Sequence, residues 1–368
     1  MASTTAAVGF PALFVPARPH ARHIRTLTSL RFFAAFWVVI LHFSKDMPFD
    51  PDGATYLVHN ARAGVDLFFM LSGFIMAHCY LEGIAGGGFA WGTYLRRRLA
   101  RIYPLHVVTL LPFLLLFAAA GAGYVRLPHP EAYDAAALLP NLLLLHAWGT
   151  TDHLTFNYPS WSISAEWFAY LLFPGMALAV LRLRPLASLF VALAALGLAW
   201  FLADSALPRP LMRLTYDFGI LRIVPAFLLG IAVYRLSLVH DVAPWLLRPL
   251  LAVTLLALAL LFHALPSPIL GVPLLAFLIF LLAGLDRQAP TTGFARPSLL
   301  YLGEISYAIY MVHALVDVFF FGFLELLWPT PGPVLGFAFC AIGLALVLVL
   351  AVLAHRLVER PARTWLAG

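Results

Sequence analysis

The sequence predicts an all-α, polytopic membrane protein with about ten transmembrane helices, because its composition is apolar and its apolar runs are long. Of the 368 residues, 62% are hydrophobic and only 11% are charged, whereas a soluble domain carries about 25% charged residues. A soluble protein with so few charges could not cover its surface, since charged residues normally stay outside. Composition therefore excludes a soluble globular enzyme, a disordered protein and a nucleic-acid-binding protein.

Ten apolar runs are each long enough to cross the roughly 30 Å hydrocarbon core of a bilayer. An eleventh run, near 135–148, is shorter and contains Pro140 and Asn141. We expect this run to be re-entrant or to lie at the outer surface. The ten predicted spans fall near residues 27–45, 64–81, 105–122, 161–181, 185–204, 218–236, 246–264, 268–285, 299–322 and 334–355.

The charges between the runs predict the orientation of the chain. With ten crossings, 16 arginines lie on the side of the N-terminus and five basic residues on the other side. Basic residues favour the cytoplasmic side, so both termini are predicted to be cytoplasmic. If 135–148 crossed the bilayer, every later segment would invert and this asymmetry would weaken. The five basic residues on the outer side are Lys45, Arg62, Arg126, Arg209 and Arg213.

The chain is predicted to form one membrane domain. A cytoplasmic segment 1–26 precedes the membrane-embedded domain 27–361, and a cytoplasmic tail, 362–368, follows it. Cys79 and Cys340 lie far apart in apolar stretches, which indicates core residues rather than a disulfide framework. No metal site is expected.

Charged side chains inside a bilayer cost at least ~2.5–3.5 kcal/mol each, so they call for a partner or a function. Arg31 and His42 lie in the first run at a spacing that places them on one helix face, about 16 Å apart along the axis. They are either interfacial residues that snorkel in opposite directions or functional groups at two depths. Asp66, at the start of the second run, is either a helix cap or a partner for His42.

The second span and the loop after it offer two further features. Ser72 precedes a glycine at mid-depth, a pattern more typical of close helix packing than of a nucleophile. Arg97, Arg98 and Arg101 follow in a basic loop. This cluster is either a topology signal or a phosphate-binding group, because guanidinium groups bind phosphates with two parallel hydrogen bonds.

Polar residues recur deep in the later spans. Glu166 lies about one turn inside its span between aromatic residues, which makes it a candidate catalytic acid or orienting residue. Ser306, Tyr310 and His313 follow helical spacing and form one polar stripe, as expected for residues that line an aqueous or substrate-filled cavity. Arg222 is a further buried charge near the outer side.

On the predicted topology these residues separate by depth. The loop arginines lie at the cytoplasmic side, Ser72 and the polar stripe lie near mid-depth, and His42, Asp66 and Glu166 lie toward the outside. This is the layout of a path that holds an anionic molecule inside and carries out chemistry near the other face.

These motifs, in this order, resemble the acyltransferase-3 family of integral-membrane acyltransferases. The resemblance covers nearly the whole chain, from Leu27 to about Pro361. It is carried by Arg31 and His42, Gly64-Val65-Asp66, Ser72-Gly73-Phe74, Arg98-x-x-Arg101-Ile102-x-Pro104, Trp161-Ser162-x-Ser164-x-Glu166, Gly303-x-x-Ser306-Tyr307-x-x-Tyr310-x-x-His313 and Glu359-Arg360-Pro361. One departure is visible, since many members have two adjacent acidic residues where this chain has Glu166-Trp167.

The resemblance implies a multi-pass enzyme of the bacterial inner membrane, with cytoplasmic acetyl-CoA or another acyl-CoA as co-substrate and no tightly bound cofactor. The implied acceptor is a sugar hydroxyl of a surface polysaccharide, O-antigen or exopolysaccharide precursor, often on a lipid carrier. A small glycoside such as a macrolide is the alternative acceptor. A transporter of a small anion or a lipid-linked saccharide is the alternative from another class. The partners are thus acyl-CoA, the glycan acceptor and the lipid bilayer, without nucleic acid.

The chemistry of acyl transfer assigns hypothetical roles. His42 is the general base, with Asp66 or Glu166 fixing its tautomer, as in a catalytic triad. Arg97, Arg98 and Arg101 hold the phosphates of coenzyme A, and Arg31 lies nearer the pantetheine arm. Direct transfer is the simpler scheme, and an acyl-enzyme on His or Ser is the alternative. The candidates for substrate binding or for stabilising the oxyanion are Ser72, Arg222, Ser306, Tyr310 and His313.

Overall fold

The computed structural model describes residues 20–21, 23–127, 129–288 and 293–367. Most of the predicted N-terminal segment lies outside these residues, as do Arg18 and Arg22, two of the arginines in the charge count. The described residues form α-helices with short 3₁₀ and π-helical segments, and these ranges contain no β-strand. The all-α fold class is therefore confirmed.

The α-helices, in chain order, are α1 (Arg25–Phe43), α2 (Ala63–Ala85), α3 (Trp91–Gly121), α4 (Leu138–Leu142), α5 (Trp161–Leu181), α6 (Pro185–Ala206), α7 (Gly219–Val239), α8 (Pro244–Ala264), α9 (Gly271–Gln288), α10 (Pro297–Glu304), α11 (Ser306–Leu315), α12 (Gly322–Leu327), α13 (Pro333–Ala354) and α14 (Arg360–Ala367). A π-helical segment, Val316–Phe321, joins α11 to α12, and another, His355–Glu359, joins α13 to α14. The 3₁₀ segments are Ser44–Asp46, Pro51–Gly53, His59–Arg62, Pro130–Ala132, Ala135–Ala137, Tyr158–Ser160, Leu211–Arg213, Pro268–Leu270 and Gly293–Ala295.

Within the described ranges, ten helical stretches are long and apolar enough to cross a membrane, which confirms the predicted number. Ten crossings return the chain to the side on which it started. The side that faces the cytoplasm is still the prediction from charge. The stretches are Arg25–Asp46, His59–Ala85, Trp91–Gly121, Tyr158–Leu181, Pro185–Ala206, Gly219–Val239, Pro244–Ala264, Pro268–Gln288, Ser306–Leu327 and Pro333–Leu366.

Helix α7 occupies the centre of the bundle and packs closely on α2. Two glycines allow this approach: a Cβ on Gly73 would lie 2.1 Å from the carbonyl oxygen of Phe227, and one on Gly230 would lie 2.0 Å from that of Met70. Any larger residue at either position would force the helices apart. The small residue after Ser72 thus has the packing role that the sequence predicted.

The run near 135–148 does not cross the bundle. It forms a 3₁₀ turn, then the five residues of α4, then turns in which Leu144 has a left-handed φ of 57°. A five-residue helix rises only about 8 Å, far less than a bilayer. His146 follows, buried and stacked on His106 of α3 with ring centroids 5.9 Å apart. The expectation of a non-spanning segment is confirmed.

The predicted span 299–322 is wrong as one continuous helix. The chain breaks at Ile305, between α10 and α11. A Cβ on Gly303 would lie 2.0 Å from the carbonyl oxygen of Thr28, so α10 packs directly on the backbone of α1. This contact holds the end of α10 against α1 next to the break. The apolar stretch able to cross the membrane accordingly begins at Ser306.

Candidate active site

Two cavities enter the bundle from opposite ends. The proximal cavity, of about 490 Å³, lies at the end where α1 begins, and Arg31 is among the side chains that line it. The distal cavity, of about 580 Å³, lies at the other end of α1 and is lined by His42. A small constriction of about 50 Å³ shares Arg31, Ser72 and Glu166 with the proximal cavity and Tyr310 with the distal one. Residues of the polar face predicted for α1 therefore line both chambers.

The proximal cavity gathers the arginines that the sequence singled out. Arg31 of α1 and Arg97, Arg98 and Arg101 of α3 all line it. Arg363 of α14 joins them, a residue that sequence reasoning missed because it is distant in the chain. The cavity thus presents five guanidinium groups, an arrangement suited to several phosphate oxygens.

Three of these arginines have protein partners, and one of the three is Arg363, whose Nη1 lies 3.9 Å from Glu359 Oε1. Arg101 forms an ion pair with Glu359, which is 1% exposed and also accepts a hydrogen bond from His355 Nδ1 at 2.9 Å. Arg98 donates to the hydroxyl of Tyr80 at 3.2 Å. In contrast, the guanidinium groups of Arg31 and Arg97 have no hydrogen bond or ion pair to any described residue. Their donors are available to a ligand.

Glu166 is paired at the constriction. Ser72 donates its hydroxyl hydrogen to Glu166 Oε1 at 2.5 Å, and the hydroxyl of Tyr170 donates to the same oxygen at 2.7 Å. The described hydrogen bonds of Glu166 do not include His42, so the structure does not place this carboxylate on the imidazole that it was predicted to orient. The Ser72 hydroxyl is engaged as a donor, which favours a positioning role over a nucleophilic one.

Asp66 is bound to Arg222, and its described hydrogen bonds do not include the predicted partner His42. Arg222 donates from Nε to Asp66 Oδ1 at 2.9 Å and from Nη2 to Oδ2 at 2.7 Å. Both side chains are buried, at 2% and 3% exposed. Arg222 also lies over the ring of Trp161 at 5.3 Å. Asp66 thus neutralises a buried guanidinium, because a buried unpaired charge would be costly.

His42 packs instead against His313 and Tyr158. Its ring centroid lies 5.0 Å from that of His313 and 4.8 Å from that of Tyr158. His313 Nδ1 donates to the carbonyl oxygen of Tyr310 at 2.6 Å, so in the neutral ring Nε2 is an acceptor. That Nε2 atom is buried with no hydrogen-bond partner among the described residues. The structure therefore places an unused acceptor beside the candidate base.

Asp317 completes this cluster, and sequence reasoning missed it. The hydroxyl of Tyr158 donates to Asp317 Oδ2 at 2.9 Å, and Lys45 Nζ lies 3.1 Å from Oδ1. Asp317 lies in the first turn of the π-helical segment Val316–Phe321, and such segments are frequent at functional sites. The available signal was its position four residues after His313, on the same polar stripe.

The remaining stripe residues differ in their access to the cavities. Tyr310 lines both the constriction and the distal cavity, and its hydroxyl donates to the carbonyl oxygen of Pro159 at 3.1 Å. Ser306 is fully buried, donates to the carbonyl oxygen of Gly303 at 2.8 Å and lines none of the three chambers. Ser306 thus lies at the helix break, away from these three chambers, and its candidate role at the substrate stays a prediction.

Comparisons with known proteins identify the family. A family model described as "Acyltransferase domain" (Acyl_transf_3) matches residues 24–355. Acyltransferase MdmB of Streptomyces mycarofaciens is 34% identical over 330 residues, which are 81% of this chain and 80% of that protein. Protein 2 in the picA locus of Rhizobium radiobacter is 32% identical over 148 residues, 38% of this chain and 72% of that protein. No solved structure gives a significant match. Together the matches show that the chain belongs to the acyltransferase-3 family and is a membrane acyltransferase.

Proposed function

We propose that the protein is an acyl-CoA-dependent O-acyltransferase that binds its donor in the proximal cavity and its acceptor in the distal cavity. The observation that carries this proposal is that Arg31 and His42, on one face of α1, line the two chambers on either side of a shared constriction. The proximal end faces the cytoplasm of a bacterial inner membrane, in line with the predicted topology.

Acetyl-CoA is the proposed donor. Its phosphates bind Arg97 and Arg363 at the mouth of the proximal cavity, while the paired Arg98 and Arg101 fix the shape of the site. The pantetheine arm then extends along Arg31 toward the constriction, which delivers the thioester to the distal side. The available donors of Arg31 and Arg97 support this arrangement.

His42 is the proposed general base. It takes the proton from the acceptor hydroxyl as the oxygen attacks the thioester carbon, the carbon–sulfur bond breaks, and the proton passes to the departing sulfur to give free coenzyme A and the ester. A positioned base of this kind contributes typically 10²–10⁴-fold to the rate. His313 replaces the carboxylate that the sequence suggested, because its unused Nε2 lies beside His42 and is suited to accept a hydrogen bond from that imidazole.

Tyr310 is the proposed donor to the developing oxyanion. Of the candidates from the sequence, it lines both the constriction and the distal cavity. The donors of Arg222 and Ser72 are already occupied by Asp66 and Glu166. Rotation of the Tyr310 hydroxyl away from the carbonyl oxygen of Pro159 supplies one hydrogen bond to the tetrahedral intermediate.

A small glycoside is the proposed acceptor. The match to acyltransferase MdmB favours this alternative over the polysaccharide precursor that the sequence analysis put first. Membership of an acyltransferase family also replaces the transporter hypothesis. A sugar ring fits a chamber of about 580 Å³ that offers Tyr158 and Trp161 as stacking surfaces.

The test supplies labelled acetyl-CoA to membranes that contain the protein, with either small glycosides, macrolides included, or a lipid-linked glycan pool as acceptor. We expect label in the small glycosides and none without the protein. Label confined to the lipid-linked pool would reverse the choice of acceptor. Label in neither, with other acyl-CoA donors also inactive, would contradict the proposed function.

A further inference from the structure

The distal cavity collects almost all of the basic residues expected on the outer side. Of the five assigned there by the sequence, Lys45, Arg62, Arg209 and Arg213 line this one cavity, and Arg126 lies elsewhere. Basic residues on the outer side weaken the charge asymmetry that orients a membrane protein. Their convergence on one chamber therefore indicates a ligand rather than a topology signal.

Three cations of the distal cavity are matched by separate aspartates. Arg222 pairs with Asp66 at 2.7 Å, and Lys45 pairs with Asp317 at 3.1 Å. Arg209 lies 3.4 Å from Asp217 in the third pair. The six side chains of these pairs therefore contribute little net charge to the chamber.

Two further cations are unmatched. Arg62 donates from Nε to the carbonyl oxygen of His59 at 2.9 Å, but no described carboxylate lies within ion-pairing distance of its guanidinium. Arg213 is exposed, and its guanidinium has no hydrogen bond or ion pair to a described residue. Both side chains line the cavity together with His42. The chamber therefore presents an uncompensated positive pair at the site proposed to bind the acceptor.

We infer that the acceptor carries an anionic group, a carboxylate or a phosphate, which Arg62 and Arg213 bind while the reacting hydroxyl lies near His42. This inference rests on the proposed function, because it takes the distal cavity as the acceptor site. Guanidinium groups recognise both anions with paired hydrogen bonds, and their positive field disfavours a cationic acceptor.

The test compares three probes that share the same pyranose ring configuration: methyl glucoside, methyl glucuronide and glucose 1-phosphate. Binding to the purified protein is measured through tryptophan fluorescence, because Trp161 lines the cavity, and acetyl transfer from labelled acetyl-CoA is measured separately. We expect an anionic probe to bind about tenfold more tightly than the neutral one. The better of the two anions identifies the group as carboxylate or phosphate.

Variants of Arg62 and Arg213 test whether these residues cause the preference for anionic probes. Arg213→Gln, at an exposed position, and the double variant Arg62→Gln/Arg213→Gln should remove the preference and leave the KM for acetyl-CoA unchanged. Arg126→Gln, on the same predicted side but outside the cavity, should behave as wild type. Equal binding of all three probes, or a raised KM for acetyl-CoA instead, would overturn the inference. Anion-selective binding without acetyl transfer would support the inference and contradict the proposed function.

Discussion

The proximal and distal cavities both concentrate cations, yet they compensate them differently. Beside the proximal cavity, one buried carboxylate, Glu359, serves Arg101, Arg363 and His355, while the carboxylate that lines the cavity, Glu166, accepts from two hydroxyls. In the distal cavity, each of three cations has its own aspartate. A cluster of cations that shares one carboxylate retains a large positive charge and suits a polyanion such as coenzyme A. In the distal cavity the one-to-one pairs are neutral, and among its described cations only Arg62 and Arg213 remain to bind a single anionic group.

The cavities also differ in proton chemistry. The distal side places His42 against His313, with Tyr158 and Asp317 adjoining, whereas the carboxylate at the constriction is occupied by two hydroxyl donors. We therefore locate proton transfer on the distal side and donor binding on the proximal side. Substitutions in each cavity test this division.

His42→Ala should lower kcat by about 10²–10⁴-fold, because it removes the general base. The KM for acetyl-CoA should be unchanged, since the proximal cavity is untouched. Labelled acetyl transfer in membranes measures both constants. His240→Ala, at an exposed histidine, is the matched control, and equal kcat in the two variants would show that His42 is not the base.

Tyr310→Phe should lower kcat by about 10²–10³-fold, the cost of losing one donor to the oxyanion. The ring is retained, so the packing against His313 at 5.6 Å between centroids is preserved. The same assay, combined with a binding measurement for the acceptor, separates kcat from affinity. A variant with normal kcat and weakened acceptor binding would place Tyr310 in recognition instead.

Asp66→Asn should act on stability, because it leaves Arg222 buried without its counter-charge. Breaking a buried ion pair costs about 3–5 kcal/mol. Thermal unfolding in detergent should show a large loss for this variant, while Asp204→Asn, at an exposed aspartate, should unfold like wild type. Normal stability together with lost activity would show that Asp66 acts in catalysis rather than in stability.

Arg97→Gln should have the smallest effect, a rise of about fivefold in the KM for acetyl-CoA, because an exposed guanidinium contributes on the order of 1 kcal/mol to phosphate binding. The KM for the acceptor should be unchanged. Initial rates at varied concentrations of each substrate give the two constants. A change in the KM for the acceptor alone would instead indicate that the proximal cavity binds the acceptor and the distal cavity binds the donor.

Sequence reasoning could find what local patterns encode. Arg97, Arg98 and Arg101 lie within a few residues of one another on α3, and the spacing of Arg31 and His42 follows from helix geometry. The sequence therefore grouped these residues in the way that they line the two cavities. Pairings between distant segments could not be predicted from the sequence, because periodicity carries no information about which helices are neighbours. The bonds of Asp66 to Arg222 and of Arg101 to Glu359 are of this kind.

The fold shows the same limit. The apolar runs predicted ten spans because hydrophobic length is a local property. The break at Ile305 lies beside the approach of Gly303 to the backbone of α1, a contact made only in the folded bundle. The role of Asp317 was hidden for a similar reason, since its partners Lys45 and Tyr158 come from other segments.

The central claim is that one bundle carries an acyl group from a donor at the proximal end to an acceptor at the distal end. The most direct test supplies labelled acetyl-CoA only outside sealed inverted membrane vesicles, with an acceptor glycoside enclosed inside. We expect label in the enclosed acceptor with the wild-type protein and with His240→Ala, and at least about a hundredfold less label with His42→Ala. Label that appears only when the acceptor is outside, on the same side as acetyl-CoA, would contradict it.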